Sequence, residues 1–193
     1  MIALVTGGAS SGKSAYAEQL ACSLPGNRYY LAAMKPYGEE GARRIARHRA
    51  LRADKGFTTI ECFDGLGDNL RFERDDSLES GSTALLESLG NVVANELFAD
   101  DWSCVPYEEA LQTVLDGVAH VAGLFDNLVI VGDEVGGDGL RYDETTETYI
   151  RLMGSVSCAI AARCDLVVEC VAGQPFIAKD DSSLKGTAPL NAF

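Results

Sequence analysis

No uninterrupted apolar run in this chain approaches the ~18–20 residues needed to cross a bilayer, so no membrane-spanning helix is expected. The start, Met1-Ile2-Ala3-Leu4-Val5-Thr6, carries no basic stretch and no small-residue cleavage site before the first glycines, and it reads as a strand instead of a secretion signal. Cysteine is present six times, but no two residues form a CxxC pair, which removes the usual zinc and disulfide frameworks. Reduced thiols and a cytoplasmic location are the expectation. Positive charge is scarce: 16 Lys and Arg face 29 Asp and Glu, for a net charge of −13. Long-range repulsion of that sign argues against nucleic acid or an anionic membrane surface as partner. Histidine occurs only twice, and neither an internal repeat nor a low-complexity tract is found.

What remains is the composition of one compact α/β domain, with 47% hydrophobic and 23% charged residues over 193 positions. Short β-branched runs at Ile2–Thr6, Tyr29–Ala33, Thr83–Leu86, Leu128–Val131 and Leu166–Val171 predict buried strands. Helical stretches alternate with them at Lys13–Leu24, Glu39–Arg52, Asn91–Phe98, Tyr107–Leu124 and Thr145–Arg163. That alternation predicts a predominantly parallel sheet flanked by helices, joined by right-handed crossovers. Gly67–Ser82 and Ala99–Pro106 read as loops. The domain is expected to occupy residues 1–179, followed by a small-residue-rich polar tail over 180–193.

An acidic protein that handles phosphate must gather its positive charge locally. Gly7-Gly8-Ala9-Ser10-Ser11-Gly12-Lys13-Ser14 does so directly after the first strand and before a helix, the context in which GxxxxGK[ST] forms a phosphate-binding P-loop. Its glycines allow backbone N–H groups to turn inward, and the helix that follows adds its positive end. Lys13 is expected on the β- and γ-phosphates and the Ser14 hydroxyl on Mg²⁺. A carboxylate at the end of a neighbouring strand completes such a site. Two places offer one: Glu87 after Thr83–Leu86, and Asp133 with Glu134 after Val129–Gly132. Glu87, together with Ser14, is the expected metal-side pair.

The second concentration of charge is Arg43-Arg44-Ile45-Ala46-Arg47-His48-Arg49-Ala50-Leu51-Arg52, which holds five of the chain's 16 basic residues. On a helix Arg44, His48 and Arg52 share one stripe. Guanidinium neighbours disfavour protonation of the imidazole, and a neutral ring is the form that attacks phosphorus. His120, in contrast, lies in an apolar pattern that suggests packing.

These segments, with Thr59-Ile60-Glu61, Leu85-Leu86-Glu87, Glu134-Val135-Gly136 and Ala161-Ala162-Arg163-Cys164-Asp165-Leu166-Val167-Val168, resemble the bifunctional adenosylcobinamide kinase/adenosylcobinamide-phosphate guanylyltransferase family from about Ile2 to Lys179. The resemblance implies phosphorylation of the aminopropanol hydroxyl of a corrinoid, then transfer of GMP from GTP to that phosphate through a guanylylated His48. It further implies nucleotide contacts by Arg49, Glu61 and Glu87, use of GTP, ATP and Mg²⁺, and a homotrimer. The chain departs from the family pattern at Asp133, where Asn is usual, at Ser88-Leu89-Gly90, where Cys-x-Thr is expected, and at Gly154-Ser155-Val156-Ser157, in place of Gly-Arg-x-Asn. A metabolite kinase without the histidine intermediate, and a nucleotide-responsive regulator, are the competing readings.

Overall fold

A computed structural model describes residues 1–35, 43, 55–63, 65–67, 70, 81–99 and 103–182. Among these residues the chain runs β1 (Ile2–Gly7), α1 (Lys13–Ser23), β2 (Asn27–Ala32), β3 (Phe57–Glu61), β4 (Ser82–Glu87), α2 (Leu89–Leu97), α3 (Tyr107–Leu124), β5 (Asn127–Val131), α4 (Glu144–Arg163), β6 (Leu166–Val171) and β7 (Gln174–Asp180). The strands form a single sheet in the order β3-β2-β4-β5-β1-β6-β7. Every neighbouring pair is parallel apart from β6 with β7. The expected five strands are all present, and β3 and β7 are additions at the two edges.

The central strands are apolar at consecutive positions because both of their faces are covered. In β1, Leu4 points into one core, with Leu86, Ile130, Leu152 and Val156. Ala3 and Val5 point into the other, with Tyr16, Leu20, Leu85 and Val131. Helix α1 covers the second face, while α2, α3 and α4 cover the first. Each leucine buried completely in this way, such as Leu20, Leu85 and Leu128, contributes about 1.5–3 kcal/mol.

The helix stretch expected over Glu39–Arg52 falls outside the described residues except for Arg43, which is helical and exposed. At the other end β7 continues the sheet to Asp180, and the Asp181 N–H then donates to the Asp165 carbonyl at 2.7 Å. The fold therefore runs past residue 179 as far as Ser182, which is buried.

Topology places the site. From β1 the chain crosses over α1's face to β2; from β5 it crosses the opposite face, through α4, to β6. The two connections part at the C-terminal ends of β1 and β5, where an open α/β sheet has its binding crevice.

Candidate active site

The phosphate-binding loop opens on Gly7 at the end of β1, where there is no room for a side chain. A Cβ there would stand 2.4 Å from the carbonyl oxygen of Cys170 and 2.6 Å from Ser11 Oγ. The backbone next turns through left-handed conformations at Ser10 (φ 56°) and Gly12 (φ 93°), the alternation that directs successive N–H groups into one concavity. Gly12 is the N-cap of α1, which has no side-chain cap and no acidic residue in its first turn. Helix α4, by contrast, has the Asp143 carboxylate accepting from the Thr145 and Thr146 N–H groups and two glutamates in its first turn. The positive end of α1 is thus left for an external anion, and the donor set fits a polyphosphate.

Lys13 bends back over this loop. Its Nζ donates to the Gly8 carbonyl at 3.1 Å and lies 3.3 Å from Asp133 Oδ1. Both partners are shielded, with side-chain exposures of 12% for Lys13 and 29% for Asp133. The other carboxylate oxygen of Asp133 faces Gly90 in the first turn of α2: a Cβ on Gly90 would stand 2.6 Å from Oδ2 and 3.0 Å from the Tyr149 hydroxyl. Tyr149, from α4, donates that hydroxyl to the Gly90 carbonyl at 3.2 Å. Burial, followed by the charge of Asp133, pushes the Tyr149 phenol up to about 12, so it remains a neutral donor. Of the two acidic places open to sequence reasoning, the β5 end is the one brought to Lys13. Tyr149 and Gly90 carried no sequence signal, since their role exists only where three elements converge.

Glu87 ends β4 on α1's face and accepts a hydrogen bond from the Tyr30 hydroxyl at 3.1 Å. In the sheet register Ala32 of β2 is paired with Glu61 on one side and Glu87 on the other. The two residues therefore stand at the same C-terminal edge, their backbones about 10 Å apart across two strand spacings. The P-loop residues Gly7, Gly8, Ala9, Ser10, Ser11, Gly12, Lys13 and Ser14 are all brought to this end of the sheet. His48 and Arg49 lie outside the described residues. The chain is next described at Lys55, whose ammonium pairs with the buried Glu18 of α1.

Two further contacts brace the loop. The Glu134 N–H donates to the Gly7 carbonyl at 3.2 Å, and the Gly173 N–H to the Ser11 carbonyl at 3.0 Å. Gly173 (φ 82°) and Ala172 (φ 48°) form the two-residue turn between β6 and β7, both at positive φ as a tight hairpin demands. No helix among the described residues is long and apolar enough to cross a membrane.

Comparison with known proteins agrees with this architecture. Residues 3–177 match the family model described as cobinamide kinase / cobinamide phosphate guanyltransferase, CobU. The bifunctional adenosylcobalamin biosynthesis protein CobP of Pseudomonas aeruginosa is 32% identical over 178 residues, covering 92% of this chain and 97% of that relative. The bifunctional adenosylcobalamin biosynthesis proteins CobU of Salmonella typhimurium and Escherichia coli are 29% and 28% identical, each over 90% of this chain and 97% of their own length. A match of this extent, carried on an intact phosphate loop, means that the chain belongs to the cobinamide kinase / cobinamide phosphate guanyltransferase family.

Proposed function

We propose that this chain phosphorylates the aminopropanol hydroxyl of adenosylcobinamide with ATP or GTP and then transfers GMP from GTP to the new phosphate, giving adenosylcobinamide-GDP. The observation that carries the reading is Lys13, held between the Gly8 carbonyl and Asp133 at the uncapped start of α1. Full-length similarity to bifunctional relatives supports it.

In the kinase step the loop N–H groups and Lys13 hold the β- and γ-phosphates and offset the charge that develops as the γ-phosphoryl group leaves. Ser14, with a carboxylate from Glu87 or Asp133, would hold Mg²⁺, which supplies charge neutralisation along the triphosphate. In the transfer step a neutral His48 ring nitrogen attacks the α-phosphorus of GTP. A P–N bond forms, the bond from the α-phosphorus to its bridging oxygen breaks, and pyrophosphate departs. An oxygen of the corrinoid phosphate then attacks the same phosphorus, the P–N bond breaks, and the histidine is regenerated. Arg49, Glu61 and Glu87 serve as nucleotide contacts; the placement of Glu61 and Glu87 along the same C-terminal end of the sheet as the loop supports this. The Lys55–Glu18 ion pair ties Lys55 to the helix that carries Lys13.

Incubation with GTP labelled at the α-phosphorus, followed by acid treatment, tests the covalent step. Acid-labile label on the wild type and none on His48→Ala is the expected pair of results. Label that persists on His48→Ala would remove His48 from the covalent step, and GMP transfer to the corrinoid with no labelled protein at any time would exclude the covalent intermediate. A homotrimeric assembly in the cytoplasm fits this reading, and the mass by light scattering checks the trimer.

A further inference from the structure

Leu140 and Tyr142, in the connection from β5 to α4, are among the large apolar side chains that the fold leaves exposed, at 66% and 38%. The loop that carries them is tied down at both ends. At its start the Glu134 N–H donates to the Gly7 carbonyl, and a Cβ on Gly136 (φ 76°) would stand 2.8 Å from Ile150 Cγ2 on α4. At its end the Tyr142 N–H donates to Glu147 Oε1 at 3.1 Å, in the first turn of α4. Between these points Asp138 accepts from the Leu140 N–H through Oδ1, at 3.0 Å, and from the Tyr142 hydroxyl through Oδ2. One carboxylate thus holds both exposed residues. Helix α4 sets their height. It links β5 to β6, both parallel to β1, and so runs back against the strands. Tyr149 bonds to Gly90 beside Asp133, and α4 begins five residues earlier, at Glu144. At about 1.5 Å per residue, the first turn and the loop bonded to it stand roughly 7–8 Å beyond the level of Asp133 and Lys13.

An apolar pair held outward by its own hydrogen bonds, on the rim of a binding crevice, has the character of a ligand contact. The nucleotide does not need it, because the phosphate loop and Lys13 lie at the level below. The acceptor does: a corrinoid is a broad macrocycle with apolar faces, and its reacting hydroxyl sits at the end of a side arm. We propose that Leu140 and Tyr142 are the surface on which the corrin ring of the acceptor rests, with Asp138 as the positioning residue that fixes both. The ring then stays on the rim while its side arm reaches down to the phosphate at Lys13. This rests on the reading of adenosylcobinamide as acceptor, and it adds where the acceptor docks and which residues hold it. Occupancy by the acceptor follows from continuity: the loop starts at Asp133, 3.3 Å from Lys13.

Initial rates of phosphorylation by the full chain, with adenosylcobinamide varied at saturating GTP and Mg²⁺, test it beside calorimetric titration of GTP alone. Leu140→Ser and Tyr142→Ser should each raise KM for the corrinoid about tenfold, the scale of one apolar side chain losing its cover. Their kcat, GTP affinity and melting temperature should stay at the wild-type values, since neither side chain is in the core or at the phosphate loop. Asp138→Ala should raise KM in the same way, and Asp138→Asn, which keeps an acceptor oxygen, should restore it. An unchanged KM in both serine variants, or a lower kcat with KM unchanged, would overturn the docking role while leaving the kinase intact. A smaller mass by light scattering for Leu140→Ser would assign the surface to a subunit contact and refute the proposal as well. Wild-type protein that binds GTP but never phosphorylates adenosylcobinamide would overturn the proposed activity, and the docking role with it.

Discussion

The α-carbon of Gly7 faces the carbonyl oxygen of Cys170 so closely that a methyl group on it would come within 2.4 Å. The two residues are register partners in β1 and β6, so that oxygen belongs to the sheet ladder and has no freedom to retreat. Gly7→Ala should destabilise the fold by about 1–3 kcal/mol through overpacking, seen as a lower urea midpoint, and should also weaken GTP binding because the loop starts from this residue. An unchanged midpoint would mean that the strand and loop separate more readily than the packing indicates.

Lys13 bonds outward, to the loop and Asp133, and takes no part in either core cluster. Lys13→Ala should therefore melt close to wild type while losing phosphoryl transfer by at least about 10²–10³-fold, the scale on which single stabilising donors act. Paired melting curves and initial rates measure the two effects separately.

The six thiols divide by burial. Cys104 and Cys158 are exposed, Cys22 is intermediate, and Cys62, Cys164 and Cys170 are buried. A disulfide-exchange reagent added at neutral pH should modify the first two fastest and reach the last three only when the protein is unfolded, since modification requires an accessible thiolate. Early modification of Cys170 would show that the β6 end opens in the native state.

Alkaline stability follows from two buried thiols and one half-buried phenol. Burial raises Cys62 and Cys164 from 9.0 to about 12, and burial with the Asp133 charge raises Tyr149 from 10.0 to about 12. Each folded-state value lies above the unfolded one, so the folded protein holds more protons in that window and stability falls as pH rises. The contribution is complete below about pH 9 and is lost on the approach to pH 12. Melting temperature recorded against pH should be level up to about 9 and then decline, and the decline should be shallower in Tyr149→Phe. A flat profile to pH 12 would contradict the burial of these groups.

Central strands were legible because burial on both faces leaves an unbroken apolar run, as in Leu128–Val131. The edges were not. Phe57–Glu61 has only half-buried and exposed positions, and Gln174–Asp180 contains Pro175 and the exposed Phe176 and Ile177, a pattern that reads as loop because an edge strand has one free side. The strand–loop–helix run from β1 into α1 was legible, since its residues are consecutive. The choice of acidic partner was not, because Glu87 and Asp133 both follow apolar strands and only the sheet order, with β5 and not β4 beside β1, separates them. Gly90 and Tyr149 lay beyond reach for a related reason: they matter through Asp133, which is distant from both in sequence.

The bond from Gly173 to Ser11 makes the edge hairpin a brace for the loop that follows β1. A loop shaped in advance spends little of its ligand's affinity on becoming ordered. On the proposed reading, the antiparallel strand at the sheet's border thereby bears on how tightly the loop holds a polyphosphate.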